Sequence, residues 1–217
     1  MQRTWLTIWM VCLMAGAAAV DSEASQRRFA LRATALSPDI ETTELLGTGS
    51  RLESSSMSAA LTVEYDFKVT DAWAVCSSLS LAALDFRGAG GALDTNPAAE
   101  MWFLPFSVTV RYEILLYSQW QPYVGAGINA AFLLRSEIDD ILKGLGVDEI
   151  STSTKVRAML EAGVLFHIDN RTFASLDASY CDAAGRFDLE SDESGDLGRA
   201  ELSGSYWTLS LGYGWRF

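Results

Sequence analysis

Histidine, cysteine and proline are scarce in this 217-residue chain, which has one, three and four of them, respectively. Because His167 is the only histidine, a histidine-based metal cluster is excluded, and the strand pattern places no serine and aspartate beside it for nucleophilic catalysis. Gly125 and Gly127 lack the following helix of a phosphate-binding loop, and they are better explained as making room for large side chains from other strands. We predict no catalytic residue, no metal site and no cofactor, and expect that the protein is not an enzyme.

Long apolar runs are also scarce. The one continuous apolar segment, residues 5–20, follows Arg3 and ends near small residues, which is typical of a secretory signal peptide cut after Ala19 or Ala24. No other segment reaches the roughly 18 uncharged apolar residues that a membrane-spanning helix needs. The sequence predicts a signal peptide over residues 1–24 and one domain over 25–217, which could cross a membrane only with strands.

Positive charge is limited: 16 lysines and arginines stand against 28 aspartates and glutamates, for a net charge of −12. Loss of Arg3 with the signal peptide makes the mature charge about −13. Such an acidic chain is a poor partner for nucleic acid. Much of the acid lies in residues 136–148 and 188–196, and two interpretations stay open: solvated loops, or loops that bridge to surface phosphates through divalent cations.

Apolar and polar residues alternate with a period of two through most of the mature chain, as they do in strands. The pattern predicts eight strands, over residues 29–36, 57–67, 72–84, 101–114, 120–134, 156–167, 172–186 and 206–217. Long connections (37–56, 85–100, 135–155 and 187–205) alternate with short ones (68–71, 115–119 and 168–171). We therefore predict an all-β fold, an eight-stranded antiparallel transmembrane β-barrel with short periplasmic turns and long extracellular loops, in the outer membrane.

One side of each predicted strand is uncharged and tipped with aromatic residues, as Leu61, Val63 and Tyr65 illustrate. A lysine or arginine on that side would cost about 2–4 kcal/mol at the middle of a bilayer, so we expect this side to face lipid. A soluble eight-stranded barrel also alternates, with its apolar side inward. The bulk of the apolar side, the strict alternation of loop lengths and the chain end flush with the last strand favour the membrane barrel.

The opposite, inward side is charged towards the turns and apolar towards the loops. The predicted charged floor consists of Arg32, Glu64, Asp66, Arg111, Glu113, Glu161, Asp177 and Arg216. We expect these charges to pair, because an unpaired charge in a confined lumen costs several kcal/mol. The predicted apolar lining of the mouth consists of Leu36, Leu84, Phe103, Leu133 and Met159. This lining is either a binding site for one small apolar molecule or filler beneath a folded loop.

Pro105 stands inside the fourth predicted strand and removes one hydrogen bond from a wall without free edges. A bulge or local opening is expected beside it, and Pro105 is a candidate lateral gate through which a ligand would leave into lipid. Cys76 and Cys181 lie on opposite strands, about 15 Å apart for a barrel of this size. A disulfide needs Cα atoms within about 7 Å, so both thiols should be free.

Several of these segments resemble the OmpW family of small outer-membrane barrels. The resemblance lies in Phe29 to Arg32, Leu104 with Pro105, the run Pro122-Tyr123-Val124-Gly125-Ala126-Gly127-Ile128-Asn129, and the ending Gly212 to Phe217. It implies an eight-stranded barrel with a hydrophobic lumen that moves small apolar molecules across the outer membrane. It also implies that Tyr213, Trp215 and Phe217 form the signal read by the barrel-assembly machinery. Phe106 stands where the family usually has a second proline.

Three classes of function follow. The leading hypothesis is a porin-like channel that binds small hydrophobic molecules and transports them passively, with lateral exit into the outer-membrane lipid. A structural or receptor barrel that acts through its acidic extracellular loops is the alternative. A barrel enzyme that modifies lipid A is third, since it would need His and Ser at the outer rim and His167 is predicted at the opposite end.

Overall fold

The computed structural model describes residues 27–43, 49–54, 56–90, 97–116, 118–138, 143, 147, 149–191 and 195–217. The predicted signal peptide and Cys12 lie outside these residues. Among the described residues no helix is long and apolar enough to cross a membrane.

Ten strands form the structure. They are β1 (Arg27–Thr42), β2 (Arg51–Ser54), β3 (Ser58–Lys68), β4 (Trp73–Ala89), β5 (Pro97–Glu113), β6 (Trp120–Ile138), β7 (Glu149–Ser153), β8 (Val156–His167), β9 (Thr172–Ser191) and β10 (Gly195–Arg216). Eight of them pair antiparallel in the order β1, β3, β4, β5, β6, β8, β9 and β10, and β10 pairs back to β1. The predicted eight-stranded barrel is confirmed.

The two short strands extend the barrel wall at its loop end. Strand β2 continues the line of β3 and pairs with β1 and β4, while β7 continues the line of β8 and pairs with β9. Residues 56–57 lie outside strands between β2 and β3, and residues 154–155 lie outside strands between β7 and β8. The barrel wall is therefore taller at these two positions than β3 and β8 alone would make it.

Side chains alternate between the outside and the lumen as the sequence pattern indicates. On β3, Leu61 is 61% exposed and Val63 39%, whereas Glu64 between Val63 and Tyr65 is 2% exposed. On β10, Leu209 and Leu211 are exposed and Ser210 is buried. The apolar side of the wall thus faces outward, which fits a barrel whose surrounding solvent is hydrocarbon.

The strands continue well into the segments that the sequence pattern assigns to long loops. Strand β1 runs to Thr42 instead of residue 36, β4 to Ala89 instead of 84, and β10 begins at Gly195 instead of 206. The predicted loops 37–56, 85–100, 135–155 and 187–205 are wrong in extent, although the alternation of long and short connections holds. The acidic residues 139, 140, 148, 192 and 193 lie outside the described residues.

In these extensions the pattern is inverted, so that the apolar residues point into the lumen and the polar residues point outward. Ile40, Leu52 and Phe86 are buried in the lumen, while their neighbours Asp39 and Arg87 are exposed outside. We call the buried set the extracellular core; its members are Ile40, Leu52, Phe86, Met101, Val147, Ile150 and Leu189. This end of the barrel has the pattern of a protein wall in water, with polar residues outside and apolar residues inside.

The short connections at the other end are tight turns. In the turn between β8 and β9, the carboxylate of Asp169 accepts hydrogen bonds from the backbone N–H groups of Arg171 and Thr172, at 2.6 and 2.7 Å. These bonds from Arg171 and Thr172 lower the pKa of Asp169. The carboxylate satisfies two backbone donors that the ladder does not use.

Candidate functional site

The turn end of the lumen holds a network of ion pairs. We call it the ionic floor; its members are Arg28, Arg32, Glu64, Asp66, Arg111, Glu113, Glu161 and Asp177, and all are buried. With Lys68 and Arg216 at its lower edge, five cations face five carboxylates. Seven of the eight predicted floor residues are thus brought together in one network, and Arg216 lies at its edge.

Arg111 on β5 is the centre of the floor. Its Nη2 lies 2.7 Å from Glu64 Oε2, its Nε 2.6 Å from Glu161 Oε1, and its Nη1 3.3 Å from Asp66 Oδ1. The guanidinium carbon also lies 4.6 Å from the centre of the Tyr123 ring, a cation–π contact. One cation on β5 therefore connects three carboxylates, two from β3 and one from β8.

Two further arginines on β1 complete the network. Arg32 pairs with Glu64 and Asp177, and Arg28 pairs with Glu113 and, at 3.1 Å, with Asp66. Our sequence analysis missed Arg28 because the first strand was predicted to begin at residue 29. It shares the inward parity of residues 30 and 32, and that parity was the signal that could have identified it.

Arg216, the last predicted floor residue, lies slightly apart. It hydrogen-bonds His167, whose Nε2 is 2.7 Å from Gln121 Oε1, and Gln121 Nε2 donates to Glu113 at 2.9 Å. The only histidine is therefore part of a polar chain at the periplasmic rim. Glu113 also forms an ion pair with Lys68 at 3.2 Å, which connects the rim to the ionic floor.

Small residues make space for the floor. A Cβ added at Gly125 would lie 2.5 Å from Glu161 Oε1, and one at Gly163 would lie 2.7 Å from the Tyr123 ring. The interpretation of Gly125 as room for a large lumenal side chain is confirmed. Gly127 differs, because its added Cβ would meet the backbone of the adjacent strand, 2.6 Å from Thr109 Cα. That glycine allows close approach of β5 and β6.

One cluster in the floor has metal-ligand residue types. Ligand atoms of Glu64, Asp66 and Cys76 lie within 4.8 Å of one another. Both carboxylates already pair with arginines, and an added cation would have to displace them. Cys76 and Cys181 are both free thiols, as their placement on opposite strands predicted.

Above the floor the lumen becomes polar and uncharged. Hydroxyl groups bridge adjacent strands: Thr34 to Thr62 at 3.1 Å, Thr62 to Ser80 at 2.7 Å. A cavity of about 50 Å³ lies among these residues, with floor carboxylates below it and Met159 on its wall. This layer separates the ionic floor from the apolar part of the lumen.

The next layer contains a larger, mainly apolar cavity of about 90 Å³, which we call the upper cavity. Leu36, Leu84 and Phe103 line it, and Ile40 and Phe86 of the extracellular core border it towards the loops. The polar side chains at this cavity are Asn129, Thr152, Ser153, Thr154, Lys155, Arg157, Asp182 and Tyr206. The extracellular core therefore lies between this cavity and the loops.

The five residues predicted for the apolar mouth occupy three different places. Leu36, Leu84 and Phe103 are buried and line the upper cavity. Leu133 packs against the apolar cluster without lining the cavity. Met159 lines the lower cavity among the hydroxyl groups. Residues of the upper cavity that our sequence analysis missed include Tyr206, whose hydroxyl donates to Asn129 Oδ1 at 3.0 Å.

The barrel wall beside the upper cavity is incomplete. Strands β6 and β8 pair from Trp120 to Ala130, but in the described parts of the chain no strand pairing joins residues 131–138 to 149–155. Two side-chain bonds to backbone oxygens cross this line, from Thr154 to Ala131 at 3.0 Å and from Ser136 to Ile150 at 3.5 Å. We call this opening the β6–β7 gap.

Pro105 lines both cavities, one strand away from the gap. It lies opposite Ala131, the first β6 residue beyond the paired region. On its other side, the pairing of β4 with β5 stops at Phe106 opposite Leu79 and resumes at Phe103 opposite Ala82. The irregularity expected beside Pro105 is present, and a second and longer break in the wall lies across β6.

The fold, the outward apolar wall and the lumenal layers define a small outer-membrane β-barrel. This chain belongs to the OmpW family, whose model matches residues 23–217, and the protein is an integral outer-membrane protein. It is 25% identical over 166 residues to the uncharacterized outer-membrane protein y4mB of Sinorhizobium fredii, covering 76% of this chain and 67% of that one.

Two solved structures share its fold. Outer-membrane protein OprG from Pseudomonas aeruginosa has a TM-score of 0.77 at 16% identity, covering 89% of this chain and 96% of OprG. Outer-membrane protein AlkL, solved in DMPC bilayers, has a TM-score of 0.62 at 14% identity, covering 92% of this chain and 94% of AlkL. Of the expected assembly signal, Tyr213 and Trp215 lie on the outer face of β10, and Phe217 directly follows the strand and is 79% exposed.

Proposed function

We propose that this protein binds small hydrophobic molecules in the upper cavity and transports them passively, with exit through the barrel wall into outer-membrane lipid. The observation that carries the proposal is the layering of the lumen. An apolar cavity lies above a fully paired ionic floor, and the wall beside it lacks ladder hydrogen bonds. A paired floor leaves no continuous water column, so a molecule in the cavity exchanges sideways more readily than along the axis.

The size of the cavity limits its occupant. At about 90 Å³ it is smaller than the roughly 150 Å³ cavity that accepts benzene. It therefore suits a narrow chain or a fragment of a larger molecule better than a ring. We propose transport rather than catalysis, since the described contacts of His167 are Gln121 and Arg216, without a serine nucleophile.

The test is solute entry into vesicles whose outer leaflet is lipopolysaccharide, because apolar solutes cross phospholipid without help. A panel of apolar and polar solutes of matched size is compared for wild type, Phe103→Asp and Met159→Asp, with Phe103→Leu and Met159→Leu as controls. We expect selective entry of apolar solutes that Phe103→Asp abolishes and Phe103→Leu preserves. Equal entry of polar and apolar solutes, or indifference to Phe103→Asp, contradicts the proposal.

A second pair of variants tests the lateral exit. Pro105→Val restores a backbone donor beside the cavity, and Pro122→Val makes the same change near the periplasmic end of β6. We expect Pro105→Val to slow apolar uptake and Pro122→Val to leave it unchanged. Unchanged uptake in Pro105→Val would count against a gate at this position.

A further inference from the structure

Arg157, at the start of β8, differs from the arginines of the ionic floor. It lines the upper cavity and is half-buried. Its Nε is shielded from water without a hydrogen-bond partner, and its guanidinium has no ion-pair partner among the described residues. Arg28, Arg32 and Arg111 of the ionic floor, by contrast, all pair with carboxylates. An anion that enters the cavity could pair with this guanidinium through charge-assisted hydrogen bonds.

The charges around the cavity favour an anion over a cation. Lys155, two residues before Arg157, lines the same cavity and is exposed at the break between β7 and β8. Asp182 is the one carboxylate among the described lining residues, and it is exposed. Two cations against one carboxylate give the cavity a positive side, and that side borders the β6–β7 gap, with Arg157 in the adjoining paired part of β8.

The rest of the lining is apolar and narrow. Leu36, Leu84 and Phe103 offer no hydrogen-bond donor to a polar group, and the volume suits a chain. A purely apolar ligand would fill this part and leave Arg157 unpaired. A ligand with an anionic head and an alkyl chain would use both parts of the cavity.

We propose that the preferred ligand is an anionic amphiphile of the fatty-acid type, a carboxylate on an unbranched alkyl chain. Its carboxylate pairs with Arg157 next to the β6–β7 gap, with Lys155 beside it, and the first few carbons of its chain lie among Leu36, Leu84 and Phe103. This inference rests on the proposed function, since it names the class of molecule that the same cavity takes.

The test uses photolabelling of the full barrel in phosphatidylcholine nanodiscs. The probes are hexanoic acid with a diazirine near the chain end and its methyl ester, at an alkaline pH at which the acid is ionised. Labelled peptides are identified by mass spectrometry, and the readout is the labelling of the β5 peptide that contains Phe103. Because a charge-assisted hydrogen bond contributes about 1.5–3 kcal/mol, we expect the acid to label this peptide at least about tenfold more than the ester.

Four variants, each with its own expected result, complete the test. Arg157→Gln should abolish the preference for the acid, and Arg157→Lys should retain most of it. Asp182→Asn should increase labelling by the acid, because a repulsive carboxylate is removed. Arg135→Gln is the matched control, since Arg135 is an exposed arginine at the same end that pairs with Glu137 at 3.0 Å outside the cavity.

The outcomes separate this inference from the proposed function. Equal labelling by acid and ester, or an acid preference that persists in Arg157→Gln, overturns the anionic head and leaves an apolar cavity in place. Failure of both probes to label the Phe103 peptide overturns the proposed function as well. The shift in gel mobility between folded and heated barrel establishes that each variant is folded before it is labelled.

Discussion

The membrane-spanning half and the extracellular half of this barrel place their apolar residues on opposite sides of the wall. In the lower half, Leu61 and Leu211 face outward while Arg111 and Glu64 lie buried in the lumen. In the upper half, Asp39 and Arg51 face outward while Leu52 is buried. The same strands run through both halves without a break in β1, β4, β5, β6, β9 or β10.

The difference shows that the surroundings of the wall determine which side of a strand is apolar. The period of two is a property of the backbone and is the same in hydrocarbon and in water. Hydrocarbon around the lower half excludes charge from the outside, so the charges collect in the lumen and pair there. Water around the upper half allows the usual arrangement, in which apolar residues pack inside. The upper cavity lies where the two arrangements meet.

The largest expected effect comes from breaking the ionic floor at its centre. Arg111→Ala leaves Glu64, Asp66 and Glu161 without their shared cation, and removal of one partner from a buried pair costs about 3–5 kcal/mol. The free energy of unfolding, measured by denaturant titration in micelles, should fall by that amount. Arg51→Ala, which removes an exposed arginine paired with Glu53 at 2.6 Å, should change it by about 0–1 kcal/mol. Equal effects of the two variants would contradict the comparison.

A cavity made in the extracellular core should also be costly. Met101 is fully buried, and Met→Ala at such a site costs about 2–5 kcal/mol. We expect Met101→Ala to increase hydrogen exchange in the upper parts of β4 and β5 and to leave the floor protected. Met57→Ala is the control, because Met57 is 73% exposed. If hydrogen exchange rose as much at the ionic floor as in the extracellular core, the two halves would open together and not independently.

The third prediction moves a positive charge to the outside of each half. Leu61→Arg places a cation on the lipid-facing side and should destabilise the barrel in a bilayer by about 2–4 kcal/mol. Asp39→Arg makes an exposed position of the upper half basic, and it should change the free energy of unfolding by no more than about 0.5 kcal/mol. Unfolding in lipid vesicles measures both. A tolerated Leu61→Arg would mean that this side does not face hydrocarbon.

The smallest effect is expected at a periplasmic turn. The pKa of Asp169 is lowered by backbone hydrogen bonds from Arg171 and Thr172, so its ionised form stabilises the turn. That contribution is fully present above the unfolded pKa of about 3.9 and is lost as pH falls through the lower folded value. The difference in stability between wild type and Asp169→Ala should be constant near neutral pH and shrink in acid. Asn170→Ala, in the same turn, should show a difference that does not depend on pH.

Sequence reasoning identified the strands and their inward faces wherever hydrocarbon imposes a strict pattern. On β3, the alternation of Leu61, Val63 and Tyr65 with Thr62 and Glu64 predicted a strand. The charged floor was predicted from the same parity. It failed at Ile40, Leu52 and Phe86, because an inverted pattern of short apolar runs among charged residues resembles a loop. It also missed Arg28, which stands just before the predicted start of β1.

The partners of the floor and the β6–β7 gap needed the tertiary structure. Parity places Arg111 and Glu161 on the inside, but which carboxylate meets which arginine depends on the register and tilt of strands distant in sequence. Likewise, no local signal tells that β6 continues to Ile138 while its neighbour breaks at residues 154–155. Met159 and Leu133 share a parity with the cavity residues, yet their height along the barrel separates them from it.

That this chain forms a barrel in a membrane could be predicted from its sequence alone, because a period of two with an uncharged side is a local property that hydrocarbon enforces on each strand separately. The pairing of charges in the lumen and the opening in the wall depend instead on how the strands pack together. Those properties arise only when eight strands close into a ring and residues more than a hundred positions apart, such as Arg32 and Asp177, are brought into contact.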